Sequence, residues 1–281
     1  MSLDAWMKHS GLPRLEARML LQAATGLSRS QLITQGEQPL APTALAQLEA
    51  WAAARREGQP MAYLLGEREF YGRVFQVSPA VLIPRPETEH LVEATLAKIQ
   101  ASGLSSPKIW DLGTGSGIVA ITLALECPQA QVWASDVSID ALAVAIDNAQ
   151  RLGAERITFK AGSWYDAFVG EVAPFSLDVV VSNPPYIEPD DAHLAVGDVR
   201  FEPQGALTDY IDGLSALATL AKGAPAFLKT GGWLLLEHGY DQGPAVRSLL
   251  THMGYQQVAT ETDLAGLDRL TLGQWPGMRT I

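Results

Sequence analysis

Over the first 62 residues the apolar positions recur at helical spacing. Leu15, Met19, Leu20 and Ala23 form one run, and Leu45, Leu48, Trp51 and Ala52 another. Gly26 and Gly58 follow these runs where helices stop, and Pro13 and Pro42 stand near their starts. No strand-like alternation interrupts them, so the pattern predicts a small helical bundle over 1–62. Between 63 and 84 the character changes. Phe70-Tyr-Gly-Arg-Val-Phe-Gln-Val77 sets a glycine between aromatic and β-branched residues, which predicts a hairpin. In Ile83-Pro84-Arg85-Pro86-Glu87-Thr88-Glu89, two prolines one residue apart fix an extended turn. A helix follows to about Gln100, then a small polar connector over 101–107.

From Lys108 onward, strand, turn and helix alternate. The predicted strands are 109–112, 131–135, 157–161, 177–182 and 233–237, with helix-length segments such as 118–126 and 139–152 between most of them. Such alternation builds a parallel sheet covered by helices on both faces, so the fold class is α/β. The expected division is a helical N-terminal domain (1–62), a hairpin linker (63–84) and an α/β domain (85–281).

Charge narrows the choice of partners. Lys and Arg number 20 and Asp and Glu 31, a net charge of −11. Residues 1–70 carry seven of each sign, so the acidity lies wholly in the remainder. Such a surface repels phosphate backbones and argues against a dedicated DNA-binding enzyme. No apolar run approaches membrane-spanning length, and the N-terminus has no basic segment leading into an apolar one. The expectation is a soluble cytoplasmic protein without membrane or direct nucleic-acid partners. The lone Cys127 makes neither an internal disulfide nor a CxxC site and reads as a buried small residue. The five histidines show no HxH or HExxH spacing, so no metal is expected, and His238 reads as structural.

Two motifs carry the chemistry. Asp111-Leu-Gly113-Thr114-Gly115-Ser116-Gly117 ends the first α/β strand and opens a helix. Glycines let backbone turn sharply and approach a ligand, and the helix N-terminus offers unpaired N–H groups. Ile118 stands where a dinucleotide fingerprint wants a third small residue, and no Lys-Ser/Thr pair marks a P-loop. Asp136, at the end of the second strand, is placed to accept both ribose hydroxyls of a nucleoside. Together these favour S-adenosylmethionine over NAD as the ligand of Gly113 to Gly117 and Asp136. Asp111 either orients the loop or meets the cofactor's amino group.

The second motif is Asn183-Pro184-Pro185-Tyr186, directly after a buried strand. Two prolines stop the sheet and stiffen the turn. The Asn183 side-chain amide and the Pro184 carbonyl offer two acceptors to an NH2 group, and the Tyr186 ring can pack on a planar one. That suits transfer to a planar, poorly nucleophilic nitrogen, which needs its N–H groups held and its lone pair aimed. Trp164 reads either as a flank for an adenine ring or as a core residue. Glu202-Pro203-Gln204 reads as a lid or substrate loop, or as a solvated loop.

Taken with Phe201-Glu-Pro-Gln-Gly-Ala-Leu207 and the proline run 83–89, these motifs resemble the release-factor glutamine methyltransferases, the PrmC/HemK family, over nearly the whole chain. The glycine loop is shared by many methyltransferases. The tetrapeptide is shared by adenine-N6 and some guanine-N2 nucleic-acid enzymes. The proline run and the helical N-domain are the specific parts. The resemblance implies a seven-stranded, mostly parallel Rossmann-like methyltransferase sheet, its last antiparallel strand near 269–274. It implies methylation of the Gln side-chain nitrogen in the Gly-Gly-Gln motif of release factors. Cofactor contacts would come from Gly113 to Gly117, Asp136, Trp164 and Asn183; Asn183, Pro184 and Tyr186 would be catalytic, and the substrate Gln would sit at Asn183 to Tyr186. The expected protein partner is a release factor, met by a monomer through the N-terminal domain. A nucleic-acid methyltransferase is the first rival, and a non-catalytic nucleoside-binding module the second.

Overall fold

The computed structural model describes residues 1–277. The chain separates into two compact units: Met1–Glu67 with Ala195–Phe201, and Arg68–Leu194 with Glu202 onward.

The first unit contains α1 (Leu3–His9), α2 (Arg14–Thr25), α3 (Arg29–Thr34), α4 (Pro42–Arg56) and α5 (Met61–Leu65). Local sequence sets their ends. Ser28 and Gln31 form a reciprocal capping box at the start of α3. Pro42 occupies the first turn of α4. Gly26 and Gly66 close α2 and α5 in the left-handed conformation. The helices bury Leu3, Trp6, Leu20, Leu21 and Leu48 together. Arg55 ties in the distant segment: it pairs with Glu16 at 2.9 Å and with Asp198 at 3.1 Å. The Arg200 guanidinium donates to the Glu57 carbonyl at 2.6 Å.

Next come β1 (Glu67–Phe70) and β2 (Arg73–Gln76), the expected hairpin, followed by α6 (Glu89–Ala101). Tyr71 and Gly72, at the hairpin turn, both have positive φ (52° and 73°), the conformation that matches the twist of paired strands. Then β3 (Lys108–Leu112), α7 (Ile118–Glu126), β4 (Gln131–Asp136), α8 (Ile139–Leu152), β5 (Thr158–Ala161) and β6 (Leu177–Ser182) alternate. They continue through α9 (Ser215–Gly223), β7 (Leu228–Glu237), α10 (Gly243–His252), β8 (Gln256–Thr262) and β9 (Asp268–Gln274). The sheet has seven strands in the order β5-β4-β3-β6-β7-β9-β8. Strands β3 to β7 pair in parallel, while β9 runs antiparallel to both β7 and β8.

The predicted strands lie within or closely over the observed ones, and the antiparallel strand falls at 268–274. β7 begins at Leu228, five residues before its expected start, and β8, the seventh strand that the resemblance implies, had no predicted range. Most of β8 is exposed, so it lacks the apolar run of its neighbours. Cys127 is half-buried rather than buried, because it caps the C-terminal end of α7 at the surface. Two apolar layers sandwich the sheet: one includes Ile109, Val119, Ile121 and Val181, the other Trp110, Leu112, Phe168 and Leu234. Alternate residues of β3 therefore point to opposite faces. The strand order reverses at β3, between β4 and β6, and ligands of open parallel sheets bind beyond the strand C-termini at such a point.

Candidate active site

At that switch point the end of β3 is held from two sides. Gly113 and Thr114 both donate their N–H groups to the Ser135 carbonyl of β4 at 2.9 Å. The Asp111 carboxylate accepts from the Thr114 hydroxyl at 2.7 Å and from the Ala120 N–H of α7 at 3.2 Å. Asp111 thus orients the loop, the first of the two roles its position suggested. Its complete burial raises the carboxyl from 3.8 to about 7, against the lowering effect of both hydrogen bonds. Asn148 of α8 braces the far side, donating to the carbonyls of Ser116 and Gln76 at 3.0 Å. Nothing in the local sequence marks Asn148 beyond its being a polar residue on the buried face of an amphipathic helix.

Asp136 ends β4 and takes two further N–H groups. Gly115 donates to its Oδ2 and Ser138 to its Oδ1, each at 2.9 Å. Burial raises its pKa, and these hydrogen bonds oppose the rise. The carboxylate is fixed in direction and keeps lone pairs beyond those two bonds.

A cavity of about 290 Å³ opens over this loop. Gly113, Thr114, Gly115, Ser116, Asp136, Trp164, Asn183 and Pro185 all line it. The expected residues thus come together, with three exceptions. Gly117, Pro184 and Tyr186 lie off the lining. Gly117 has a structural reason for being glycine: its φ is +84°, and a Cβ there would meet Ile121 Cδ1 at 2.8 Å and Ala145 Cβ at 3.2 Å. Gly115 is the opposite case, since a Cβ there would meet nothing within 4 Å. Trp164 borders both the cavity and the core. It lines the cavity, sits 3.6 Å from the Cβ position of Gly113, and also packs against the buried aromatic layer.

Beyond β6, Asn183 is half-buried and donates from Nδ2 to the Thr88 hydroxyl at 3.2 Å. That bond directs Nδ2 to Thr88 and leaves Oδ1 as the acceptor. No hydrogen bond within the described residues occupies the Pro184 carbonyl. The Tyr186 carbonyl accepts from Gln242 Nε2 at 2.9 Å, anchoring the end of the turn. The Tyr186 hydroxyl makes a long bond, 3.5 Å, to Glu237 Oε1 at the end of β7. Burial and the adjoining Glu237 carboxylate push the phenol up.

The cavity's other wall comes from the proline run. Pro84, Arg85 and Thr88 line it, together with Pro203, Gly205 and Ala206. Glu202 joins these two segments: it is buried, accepts the Ile83 N–H at 3.0 Å and pairs with Arg85. It is a brace, not a solvated loop residue. His238 is fully buried between Thr271 Oγ1 (2.7 Å) and the Gly239 carbonyl (2.8 Å), as expected of a structural residue.

The N-terminal and catalytic halves each match a known domain. Residues 7–66 match the PrmC N-terminal domain and residues 88–203 the methyltransferase small domain. The chain is 54% identical over 275 residues to the release factor glutamine methyltransferase of Neisseria gonorrhoeae, covering 98% of each chain. It is 53% identical to the enzyme of that name from Bordetella pertussis, covering 94% of this chain and 95% of that one. The chain belongs to the release factor glutamine methyltransferases. The fold is also that of a methyltransferase from Pyrococcus furiosus, with a TM-score of 0.52 and 15% identity, covering 83% of this chain and 98% of that one. Thr88 in the lining and Glu237 beside Tyr186, like Asn148, were not singled out by the sequence. Thr88 lies inside the proline run, and Glu237 ends an apolar strand with a charge. Those were the available signals.

Proposed function

We propose that this cavity holds S-adenosylmethionine and that the turn after β6 holds the side-chain amide of the release factor's Gly-Gly-Gln glutamine, whose N5 is methylated. The fit is chemical. The cavity is mostly apolar, of nucleoside size, lined by the Asp111 and Asp136 carboxylates, and Gly115 of the glycine loop opens onto it. Asp136 accepts the ribose hydroxyls, the backbone at Gly115, where no side chain intervenes, lies close against the ligand, and Trp164 flanks the adenine. Bound there, the cofactor supplies an electrophilic methyl group on a positively charged sulfur.

The protein's own part is orientation. An amide nitrogen is a poor nucleophile because its lone pair is delocalised into the carbonyl. Asn183 Oδ1 and the Pro184 carbonyl each accept one N–H of the substrate NH2. This raises electron density on the nitrogen and holds it in line with the methyl group. Tyr186 packs against the planar amide, and Pro184 and Pro185 keep the turn rigid. The observation that carries this reading is the Asn183–Thr88 hydrogen bond, which turns an acceptor, not a donor, away from Thr88.

Asn183→Ala tests it. Turnover on a purified release factor should fall about 10²–10³-fold, as when one preorganised polar group is removed from an active site. The melting temperature should stay within a few degrees, because Asn183 fills no core space. Methylation at the unaltered rate, read by mass spectrometry of the Gly-Gly-Gln peptide, rejects the acceptor role.

The helical unit supplies the remaining parts of the reading. It serves as a docking surface for the folded release factor, and the catalytic unit acts on a protein rather than a nucleic acid, as a cytoplasmic monomer. Among the described residues no helix is long and apolar enough to cross a membrane.

A further inference from the structure

The segment that follows Ala206 is clamped to the substrate turn at both ends. The Ile187 N–H donates to the Leu207 carbonyl at 2.9 Å, and Ile187 and Thr208 pair as a parallel bridge. At the other end, Gln242 Nε2 donates to the Gly213 carbonyl at 3.1 Å as well as to the Tyr186 carbonyl at 2.9 Å. Gly213 has φ +69°, and a Cβ on it would meet the Tyr186 carbonyl oxygen at 2.6 Å, so only glycine fits this close to the turn.

Between the clamps stand Tyr210 and Ile211, 61% and 66% exposed. Isolated apolar residues on a surface are ordinary. This pair differs in being held. Tyr210 has φ +62°, a left-handed conformation that aromatic residues rarely adopt. Its N–H donates to Thr208 Oγ1 at 3.0 Å. The Asp209 carboxylate then gathers the N–H groups that follow: Oδ1 accepts from Ile211 at 3.0 Å and Gly213 at 2.9 Å, and Oδ2 from Ser215 of α9 at 2.9 Å. Such strain persists only where the surroundings over-determine it, and it clusters at functional sites. The direction of the side chain is a second observation. The Tyr210 hydroxyl stands 3.7 Å from where a Cβ on Gly205 would be, and Gly205 lines the cavity. The ring therefore borders the cavity mouth while most of it stays in water.

We propose that Tyr210 is a specificity-determining residue for the protein substrate: its ring packs on the main chain of the glycine that precedes the substrate glutamine. This rests on the reading that the glutamine amide sits at Asn183 to Tyr186. A glutamine side chain is short. With its amide at that turn, its main chain lies at the rim, within reach of a loop tied to the same turn. A flat ring covers a backbone without a Cβ closely, and a methyl group on that glycine holds the two apart. Tyrosine has few rotatable bonds and this one a fixed backbone, so little freedom is lost on contact.

The full-length protein, S-adenosylmethionine and two release factors supply the test, one unaltered and one with Ala in place of the glycine before the glutamine. Tyr210→Gly removes the ring and adopts φ +62° without strain, so the loop keeps its course. KM for the unaltered release factor should rise roughly 10-fold, with kcat and S-adenosylmethionine affinity nearly unchanged. The unaltered enzyme should favour the glycine substrate over the alanine one by roughly 100-fold in kcat/KM, and Tyr210→Gly should narrow that ratio to roughly 10-fold. Tyr210→Phe should match the unaltered enzyme on both substrates, because the ring and not the hydroxyl makes the contact. A ratio unchanged in Tyr210→Gly overturns the proposal. So does a fall in S-adenosylmethionine affinity as large as the rise in KM, which places the loop's role at the cofactor. Should Tyr210→Gly melt early, Tyr210→Asn decides the question, since asparagine tolerates positive φ and lacks the ring. Asn183→Ala separates the two readings. Full activity in that variant sinks the placing of the glutamine at the turn. A severe loss there, beside an unchanged ratio in Tyr210→Gly, sinks only the role of Tyr210.

Discussion

Asp136 commits one oxygen to the Gly115 N–H and the other to the Ser138 N–H, so its direction is set before any ligand arrives. A preset acceptor loses little freedom on binding, which is why it contributes to affinity rather than merely being compatible with it. Asp136→Ala should weaken S-adenosylmethionine binding by about 1.5–3 kcal/mol, the range for hydrogen bonds to a charged group. Calorimetry finding equal affinity would remove Asp136 from the ribose site. At this scale the sequence was readable where the chemistry is local. Asp136 could be found from its distance to the glycine loop, and Asn183 from the prolines beside it. Thr88 could not, since its partner Asn183 is 95 residues away and only the fold joins them. Asn148 meets Gln76 across 72 residues in the same way.

The elements that carry the site were legible because their signals are strong and short-range. β3, β4 and β6 are apolar runs that end in polar turns, and α7 begins at a glycine. Asp111 joins two of these elements by accepting the Ala120 N–H, and its buried carboxyl has a consequence for stability. Its pKa in the fold, about 7, lies above the 3.8 of an unburied carboxyl. Between those values the folded state keeps a proton that the unfolded chain has released. The contribution of Asp111 is therefore most favourable below about pH 4, declines as pH rises to about 7, and is flat above that. Glu237, raised by burial from 4.5 to about 7, has the same sign. Asp111→Asn removes one such ionisation, so the loss of urea-unfolding stability between pH 5 and pH 8 should shrink. An unchanged difference between those two pH values would mean that Asp111 is ionised in the fold throughout. Elements with weaker signals were missed for physical reasons. β8 is a mostly exposed edge strand, five of whose seven residues are Gln, Thr or Glu, and its place in the sheet comes from pairing with β9 rather than from an apolar pattern of its own.

At the scale of the molecule, the division of charge and the division into compact units point the same way. The acidic excess belongs to the chain beyond residue 70, while the helical unit is nearly neutral and lacks a cofactor motif. Arg14, Arg18, Arg29, Arg55 and Arg56 of this unit are the candidate cations of a docking surface, and their environments separate them. Arg55 pairs with Glu16 and Asp198, and Arg56 donates to the Ser10 carbonyl at 2.7 Å, so these two hold the unit together. Arg14 and Arg29 are exposed and make no ion pair among the described residues. Deleting residues 1–62 would also strip Ala195–Phe201 of Arg55 and Glu57, its partners within the unit, so deletion confounds docking with local order. Charge reversal is cleaner. Arg14→Glu with Arg29→Glu should raise KM for a whole release factor several-fold and leave S-adenosylmethionine affinity unchanged. Remote contacts of this kind supply binding energy that a fragment of the substrate cannot. A short Gly-Gly-Gln peptide should accordingly be a poor substrate for both proteins, and equally poor. Equal KM on the whole release factor would restrict the helical unit to a stabilising role. A loss on the peptide as large as on the whole protein would place the effect in the catalytic unit instead of at a docking surface.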